Sequence, residues 1–428
     1  MLGSAVQNII ALSDSVFLYH LSELDFAAIG FVGVFYLIVA AIGYGFSKGG
    51  QIMIARRMGE NKSSEIGRTF YAMVYFEFAL AVAMFLFMHF GAQYFFALFV
   101  DSDLIYYKSL DYLDYRQYGV FFSYVGVAII ALYTGVARTT FIIIDTVILA
   151  LVNIFLNYGL IFGKWGFPEM GIAGAGLAST TAEVVAFIVF VIYIFFDKKT
   201  RAYQLFKLPK IDLELIKQQQ KLATPIVAQA IVGLGSWFVF FGIVENLGER
   251  ELAITNLVRM VYLVLSIPCW GFASGVNTMV SNFIGQSKRE EVMHIIWKTA
   301  KICFVTTMIF TLPIVAFPEA TLYPLLGSAD MSLITDARPT FYVLTGILAL
   351  FSIGGVYFNG LAGTGATFYG LKIQMWCAVG YLIFIYIVVN YTSGGLELAW
   401  SAEIFYWIVM LYLTYSYLKS NKWHTKKV

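Results

Sequence analysis

The chain has 428 residues, 60% of them hydrophobic and 13% charged, with a formal net charge of +2. A soluble domain of that make-up could not cover its surface with polar groups, so the composition points to a polytopic membrane protein. The near-neutral balance argues against a nucleic-acid partner. The three cysteines, Cys269, Cys303 and Cys377, lie in apolar runs without metal-ligand or disulfide spacing.

In chain order, twelve apolar runs approach or exceed the roughly 20 residues that a spanning helix needs. They cover roughly 2–19, 26–54, 68–91, 114–137, 141–163, 171–196, 222–245, 252–284, 293–317, 340–362, 371–391 and 396–418. The runs are continuously apolar rather than alternating, which rules out barrel strands. Several exceed one crossing and must tilt or end in amphipathic turns. The first is short. Only thirteen residues precede Asp14, with Gln7, Asn8 and Ser13 among them, and the run reads either as the end of a longer natural helix, the preferred reading, or as a truly short span. Residues 1–12 lack the basic start and cleavage site of a signal peptide.

The stretch Gly45–Glu65, GFSKGGQIMIARRMGENKSSE, returns 226 positions later at Gly271–Glu291, GFASGVNTMVSNFIGQSKREE. Gly45/Gly271, Phe46/Phe272, Gly49/Gly275, Met53/Met279, Gly59/Gly285, Lys62/Lys288 and Glu65/Glu291 coincide without a gap. A long internal period of this kind marks a duplicated unit. The Lys-rich stretch 197–221 separates the copies. The expected domains are an N-lobe at 1–197, an inter-lobe linker at 198–221, a C-lobe at 222–418 and a tail at 419–428. The expected fold is an all-α polytopic membrane protein, twelve transmembrane helices in two pseudo-twofold-related six-helix lobes. Six spans per lobe relate the lobes by an axis along the membrane normal, and two bundles around a cleft are a transporter layout.

Lys and Arg collect after even-numbered spans: Arg56, Arg57, Lys62 and Arg68, then Lys198 to Lys221, then Lys288 to Lys301, then the tail. The positive-inside rule therefore places both termini in the cytoplasm of a multi-pass protein of the cell's inner (plasma) membrane.

An ionisable group inside a span costs about 2.5–3.5 kcal/mol on insertion scales, so each needs an account. Asp14 reads either as an interfacial carboxylate or as a cation or proton site facing the cleft. Asn153 and Asn157 share a helix face at i,i+4, either as interhelical hydrogen-bond glue or as amide oxygens for an ion. Ser179 and Glu183 repeat that spacing in span 6, behind Gly171, Gly174 and Gly176. These five residues supply only oxygen ligands, which suit a hard cation such as Na⁺ or a proton. Lys48 reads as a snorkelling cation or a substrate contact, and Gln51 and Gln229 join it as candidate cleft residues. Glu77, Asp145, Arg259 and Glu403 stay without a role. For these four the default is interfacial placement or pairing within a lobe. Some of the 39 Phe, 28 Tyr and 8 Trp are expected to line the cleft, where they suit flat or cationic ligands.

The runs NIIALSDSVFLYHLSELDFAAIGF, GFSKGGQIMIARRMGENK, NIFLNYGLIFG with GFPEMGIAGAGLAS, and NGLAGTGAT resemble the MATE (multidrug and toxic compound extrusion) transporters. The similarity spans essentially the whole chain. It implies a two-lobe antiporter that exports organic, often cationic compounds in exchange for Na⁺ or H⁺. It also implies small organic substrates and membrane lipid as partners, action as a monomer, and no cofactor beyond the coupling ion. By position, the family's span 1 aspartate falls on Asp14, and its N-lobe cation site on Asn153, Asn157 and Ser179. The family commonly has Asp where this chain has Asn157, a charge Glu183 would replace. Some branches carry acids in spans 7 and 10. This chain has none there, so coupling is expected in the N-lobe. After Gly135, GVARTTF is shorter than its second-half counterpart GLAGTGATFYG.

The nearest alternative is a lipid-linked oligosaccharide flippase of the same superfamily, which would want a more basic cleft. A membrane enzyme is disfavoured, because no HExxH, no GxSxG and no convergent His/Asp set is present.

Overall fold

The computed structural model describes residues 6–245, 247–326, 331–392 and 395–425. The first part runs α1 (Val6–Tyr19), α2 (Glu23–Gly59), α3 (Ser63–Leu86), α4 (Ala92–Ala97), α5 (Asp103–Arg116), α6 (Gly119–Gly135), α7 (Thr140–Phe162) and α8 (Gly171–Phe196). The second runs α9 (Leu213–Glu245), α10 (Glu249–Leu265), α11 (Ile267–Gly285), α12 (Val292–Ala316), α13 (Pro318–Leu326), α14 (Met331–Gly363), α15 (Thr367–Tyr391) and α16 (Gly395–Lys419). No strand occurs among the described residues.

Nine helical segments among the described residues are long and apolar enough to cross a bilayer, with α3 and α4 joined into one through a π-helical turn at Phe87–Gly91. Two more crossings are bent pairs, α5–α6 at 56° and α10–α11 at 43°. With the shorter α1, the chain is an all-α polytopic protein whose twelve segments follow the expected order.

The bent pairs are where the sequence reading was too simple. The run before span 4 reads as a polar connection, yet residues 103–116 are a helix. Ser102 caps it, with Oγ accepting from the Ile105 N–H, and Asp103 lies in the first turn where the helix dipole favours an acid. Asp103, Asp111 and Asp114 face outward while Ser109, Tyr112, Leu113 and Arg116 are buried. The acids belong to one face of an amphipathic helix, and the other face packs inward. Span 8 breaks at Ser266 because Pro268 follows, and a proline has no N–H and crowds the carbonyl four residues back.

The duplicated stretch has duplicated backbone geometry. α2 and α11 end at Gly59 and Gly285, and Asn61 and Ser287 both take left-handed conformations, φ 58° and 63°. The Lys62 N–H bonds to the Arg57 carbonyl and the Lys288 N–H to the Phe283 carbonyl, each at 2.9 Å. These bonds close both helix ends in the same way, satisfying carbonyls the helix leaves free.

Two compact units divide between Ala223 and Thr224, inside α9. The basic segment of the first unit is packed rather than loose. The Tyr75 hydroxyl donates to the Pro209 carbonyl at 2.9 Å, Tyr71 donates to the Leu205 carbonyl, and Arg68 pairs with Asp212. Asp212 caps α9, and the Leu215 N–H together with Arg68 holds its carboxyl below the usual range.

The core of the first unit near its ion-pairing groups includes Leu18, Ile29, Val32, Phe96, Leu113, Tyr124 and Ile161. That of the second is built around Phe240, Tyr262, Phe351, Tyr381 and Trp400.

Candidate cation site

Four helices of the first unit bring their polar residues to one carboxylate. On α7 the buried positions Ile142, Asp145, Thr146, Leu149, Asn153, Asn157 and Leu160 recur every three or four residues. Ile143, Val147, Leu151, Ile154 and Tyr158 face outward on the other side. On α8 the buried face is almost all small: Gly174, Ala175, Gly176, Ala178, Ser179, Ala182 and Ala186, with Glu183 among them. Small side chains let neighbouring helices approach closely without a polar group being forced outward.

Asp14, on α1, is 0% exposed. Its Oδ1 accepts from Asn157 Nδ2 at 2.8 Å and from Asn153 Nδ2 at 3.2 Å. Its Oδ2 accepts from Ser179 Oγ at 2.7 Å and from the Tyr112 hydroxyl at 2.9 Å. All four acceptor positions of the carboxylate are thereby used. Asn153 Nδ2 also donates to Ser179 Oγ at 3.0 Å, and Asn157 Nδ2 reaches Asn153 Oδ1 at 3.3 Å and Ser13 Oγ at 3.2 Å. Asn157 Oδ1 is buried and has no hydrogen-bond partner.

The two edges of this carboxylate differ chemically. The Oδ2 edge meets hydroxyls, which can turn from donor to acceptor when the carboxyl takes a proton. The Oδ1 edge meets amides, whose rotation would replace N–H by C=O and offer oxygens to a metal cation. The unpartnered Asn157 Oδ1 is one oxygen already available for that purpose. A Na⁺ ion therefore fits the donor set, and so does a proton.

Of the expected site residues, the structure brings together Asp14, Asn153, Asn157 and Ser179. Glu183 does not join them. One turn further along α8, it faces Arg116, whose Nη1 and Nη2 donate to its two oxygens at 2.6 and 2.7 Å. Arg116 also lies 3.8 Å over the Tyr36 ring, and it is within electrostatic reach of Asp14. Its charge and that of Glu183 cancel locally, so Asp14 keeps the site's net charge. Lys48 and Gln51 meet each other, Nζ to Oε1 at 3.0 Å, and Lys48 also lies over Tyr44. Gln229, in the second unit, donates to the Thr367 carbonyl at 3.0 Å. The acids without a role are buried inside the protein. Glu77 is fully buried with neither oxygen hydrogen-bonded, and Asp145 is buried with Oδ1 unpaired.

Sequence reading missed Tyr112 and the partnership of Arg116. Both lie on α5, which the expected spans leave out up to residue 113, so that Tyr112 falls outside them and Arg116 at the very start of the fourth. The available signal was their i,i+4 spacing, which places them on one face opposite the acids. The close approach of α5 to α8 depends on Gly176, where any side chain would run into the Tyr112 carbonyl. Gly176→Ala is expected to push α5 away, lowering stability by about 1–3 kcal/mol and loosening the Tyr112 contact to Asp14. A lower thermal unfolding midpoint in detergent, with a weaker response to the coupling ion, is the measurable result.

The MatE family model matches residues 1–159 and 225–392. The chain is 23% identical over 314 residues to a probable multidrug resistance protein NorM of Synechocystis sp., a match covering 72% of this chain and 66% of that relative. To the Thermotoga maritima protein of the same name it is 26% identical over 307 residues, covering 70% of this chain and 64% of that one. Each match thus spans slightly under two thirds of the relative's length. Among solved structures, an outward-facing multidrug resistance MATE family transporter of the MOP superfamily superposes with TM-score 0.87 at 19% identity, covering 98% of this chain and 93% of that one. A MOP superfamily transporter from Pyrococcus furiosus, described as having a binding pocket of reversed polarity that suggests a different function, gives 0.86 at 19%, covering 99% and 94%.

Proposed function

This chain belongs to the MatE family, and from that premise we propose that it is a secondary active antiporter exporting organic, often cationic compounds against Na⁺ or H⁺. The observation that carries the proposal is the capture of Asp14 by donors from α5, α7 and α8. A dry carboxylate with four ordered partners from three helices can exchange a cation and change what those helices hold. Coupling requires that the ion and the exported compound favour different states of the protein, and a group at a junction of helices supplies that difference. The relatives' multidrug resistance names support an organic cargo. The Lys and Arg asymmetry supports an inner-membrane protein with both termini cytoplasmic. The working unit is taken to be one chain in contact with lipid and small organic substrates. It uses no nucleic acid, no enzymatic chemistry and no cofactor beyond the ion.

The test is efflux of a fluorescent organic cation from proteoliposomes, with the Na⁺ and pH gradients collapsed one at a time. Loss of transport with one gradient identifies the coupling ion, and transport indifferent to both overturns the reading. Asn157→Asp adds a second carboxylate at the Oδ1 edge. It is expected to lower the Na⁺ concentration needed for half-maximal response by about tenfold, roughly 1.4 kcal/mol. An unchanged Na⁺ response would make Asn157 an interhelical tie only.

A further inference from the structure

The second unit holds an acid that the site above does not use. Glu403 of α16 is 4% exposed, and its Oε1 accepts from Trp237 Nε1 of α9 at 2.8 Å. The Tyr381 hydroxyl of α15 and the Trp407 N–H of α16 lie beside the same carboxyl, yet both are buried without closing a hydrogen bond of good geometry. The surroundings are aromatic. Trp237 packs on Tyr262 of α10 at 5.3 Å between ring centroids, and Tyr406 packs on Tyr381 at 5.9 Å and on Trp407 at 5.1 Å.

The titratable groups on the packed elements are few. α10 brings Tyr262 and also Arg259, whose guanidinium lies over the Phe241 ring. α15 brings Tyr381 and Cys377, and α16 brings Tyr406. α14, which packs against α16, contributes Phe351 to the ring cluster. Among the described residues no Lys or Arg makes an ion pair with Glu403.

A carboxylate kept dry and without a counter-cation is costly, because desolvation is not repaid by an ion pair. Indole N–H groups suit the charged form, since they only donate. A tyrosine hydroxyl suits either form, since it can donate to the carboxylate or accept from the carboxylic acid. Glu403 therefore has neighbours for both states. Changing state alters which of them is hydrogen-bonded, and so alters the packing of α9 and α15 on α16.

We propose that Glu403 is a proton-exchanging carboxyl of the second unit, with Trp237, Trp407 and Tyr381 as the groups that respond to its state. In the step, a proton from the aqueous medium forms an O–H bond on the carboxylate and returns to water when it leaves. No other reactant is consumed. Its place in transport rests on the antiporter reading and adds to it a second ionic site, distinct in residues and helices from that of Asp14.

The experiment uses the full chain in lipid nanodiscs and follows tryptophan emission as pH is varied between about 5 and 9. The wild type is expected to show a sigmoidal step. Glu403→Gln should abolish it, Trp237→Phe should diminish it, and Glu403→Asp, which keeps the acid, should restore a step at a shifted midpoint. Asp14→Asn, in the other unit, should leave it in place. In proteoliposomes Glu403→Gln should also lower the number of protons moved per substrate. A step that survives in Glu403→Gln overturns the proposal, and an unchanged proton count in that variant overturns its place in transport. If the wild type shows no ion-driven transport at all, the antiporter reading fails, while the emission titration still decides whether Glu403 exchanges a proton.

Discussion

Asp14→Asn is expected to reduce ion-driven export to the level of empty vesicles while the protein stays folded in the membrane. The two halves of that expectation have separate causes. Folding survives because the amide can be satisfied where it stands. Its oxygen keeps accepting from Asn153 and Asn157, and its NH₂ group faces Ser179 and Tyr112, whose hydroxyls turn to accept. The stability change should stay at about 1–3 kcal/mol, because the amide itself is satisfied while the Tyr112 and Ser179 hydroxyl protons lose Asp14 as their acceptor. Transport is lost because the variant carries no charge to exchange. An ion can shift a conformational equilibrium only by its differential affinity for the two states, and a neutral site has almost none to offer. The measurement pairs thermal unfolding with gradient-driven efflux. Efflux at the wild-type rate would mean that the carboxylate is an interhelical fastening.

Much of this arrangement was legible in the sequence, and the reason is the solvent. In a bilayer the cost of polar groups forces Asp14, Asn153, Asn157 and Ser179 inward, so their mere presence in apolar runs marks them out. The order of the twelve segments followed from length and hydropathy for the same reason. The 226-residue register was legible too, and the matched Lys62 and Lys288 turns are its physical counterpart. Reading failed where polar residues are legitimate outside the membrane. The acids of α5 made it look like a connection, so Tyr112 and Arg116 were not placed against α8. Glu183 was then left without its true partner and was counted as a spare charge for the ion. Pairing between helices is a tertiary fact, and neither periodicity nor composition encodes it.

That pairing gives the second large effect. Arg116 is 0% exposed and Glu183 is 4% exposed, and two short hydrogen bonds join them. Removing one partner of a buried ion pair leaves a charge without its main counter-charge and typically costs about 3–5 kcal/mol. Glu183→Gln and Arg116→Met are each expected to reduce the yield of folded protein and to lower the thermal midpoint sharply. The site cannot relax by letting in a larger neighbour, because a side chain at Gly119 would run into both Arg116 Nη1 and Glu183 Oε2. Replacing both together is a different case. Arg116→Met with Glu183→Met removes two desolvation costs as well as the attraction, and such exchanges are often neutral or stabilising. The double variant should therefore recover most of the lost midpoint, a non-additivity that a double-mutant cycle reads directly. The ion response separates a structural pair from one that also tunes Asp14. In Glu183→Gln the Arg116 charge is no longer cancelled, and Asp14 is the nearby carboxylate it acts on. The cation site would then be partly neutralised from within. Protein that still folds should need at least about tenfold more coupling ion, roughly 1.4 kcal/mol, and the double variant should return to the wild-type requirement. An ion requirement that does not move in Glu183→Gln would confine Arg116 and Glu183 to holding α5 against α8.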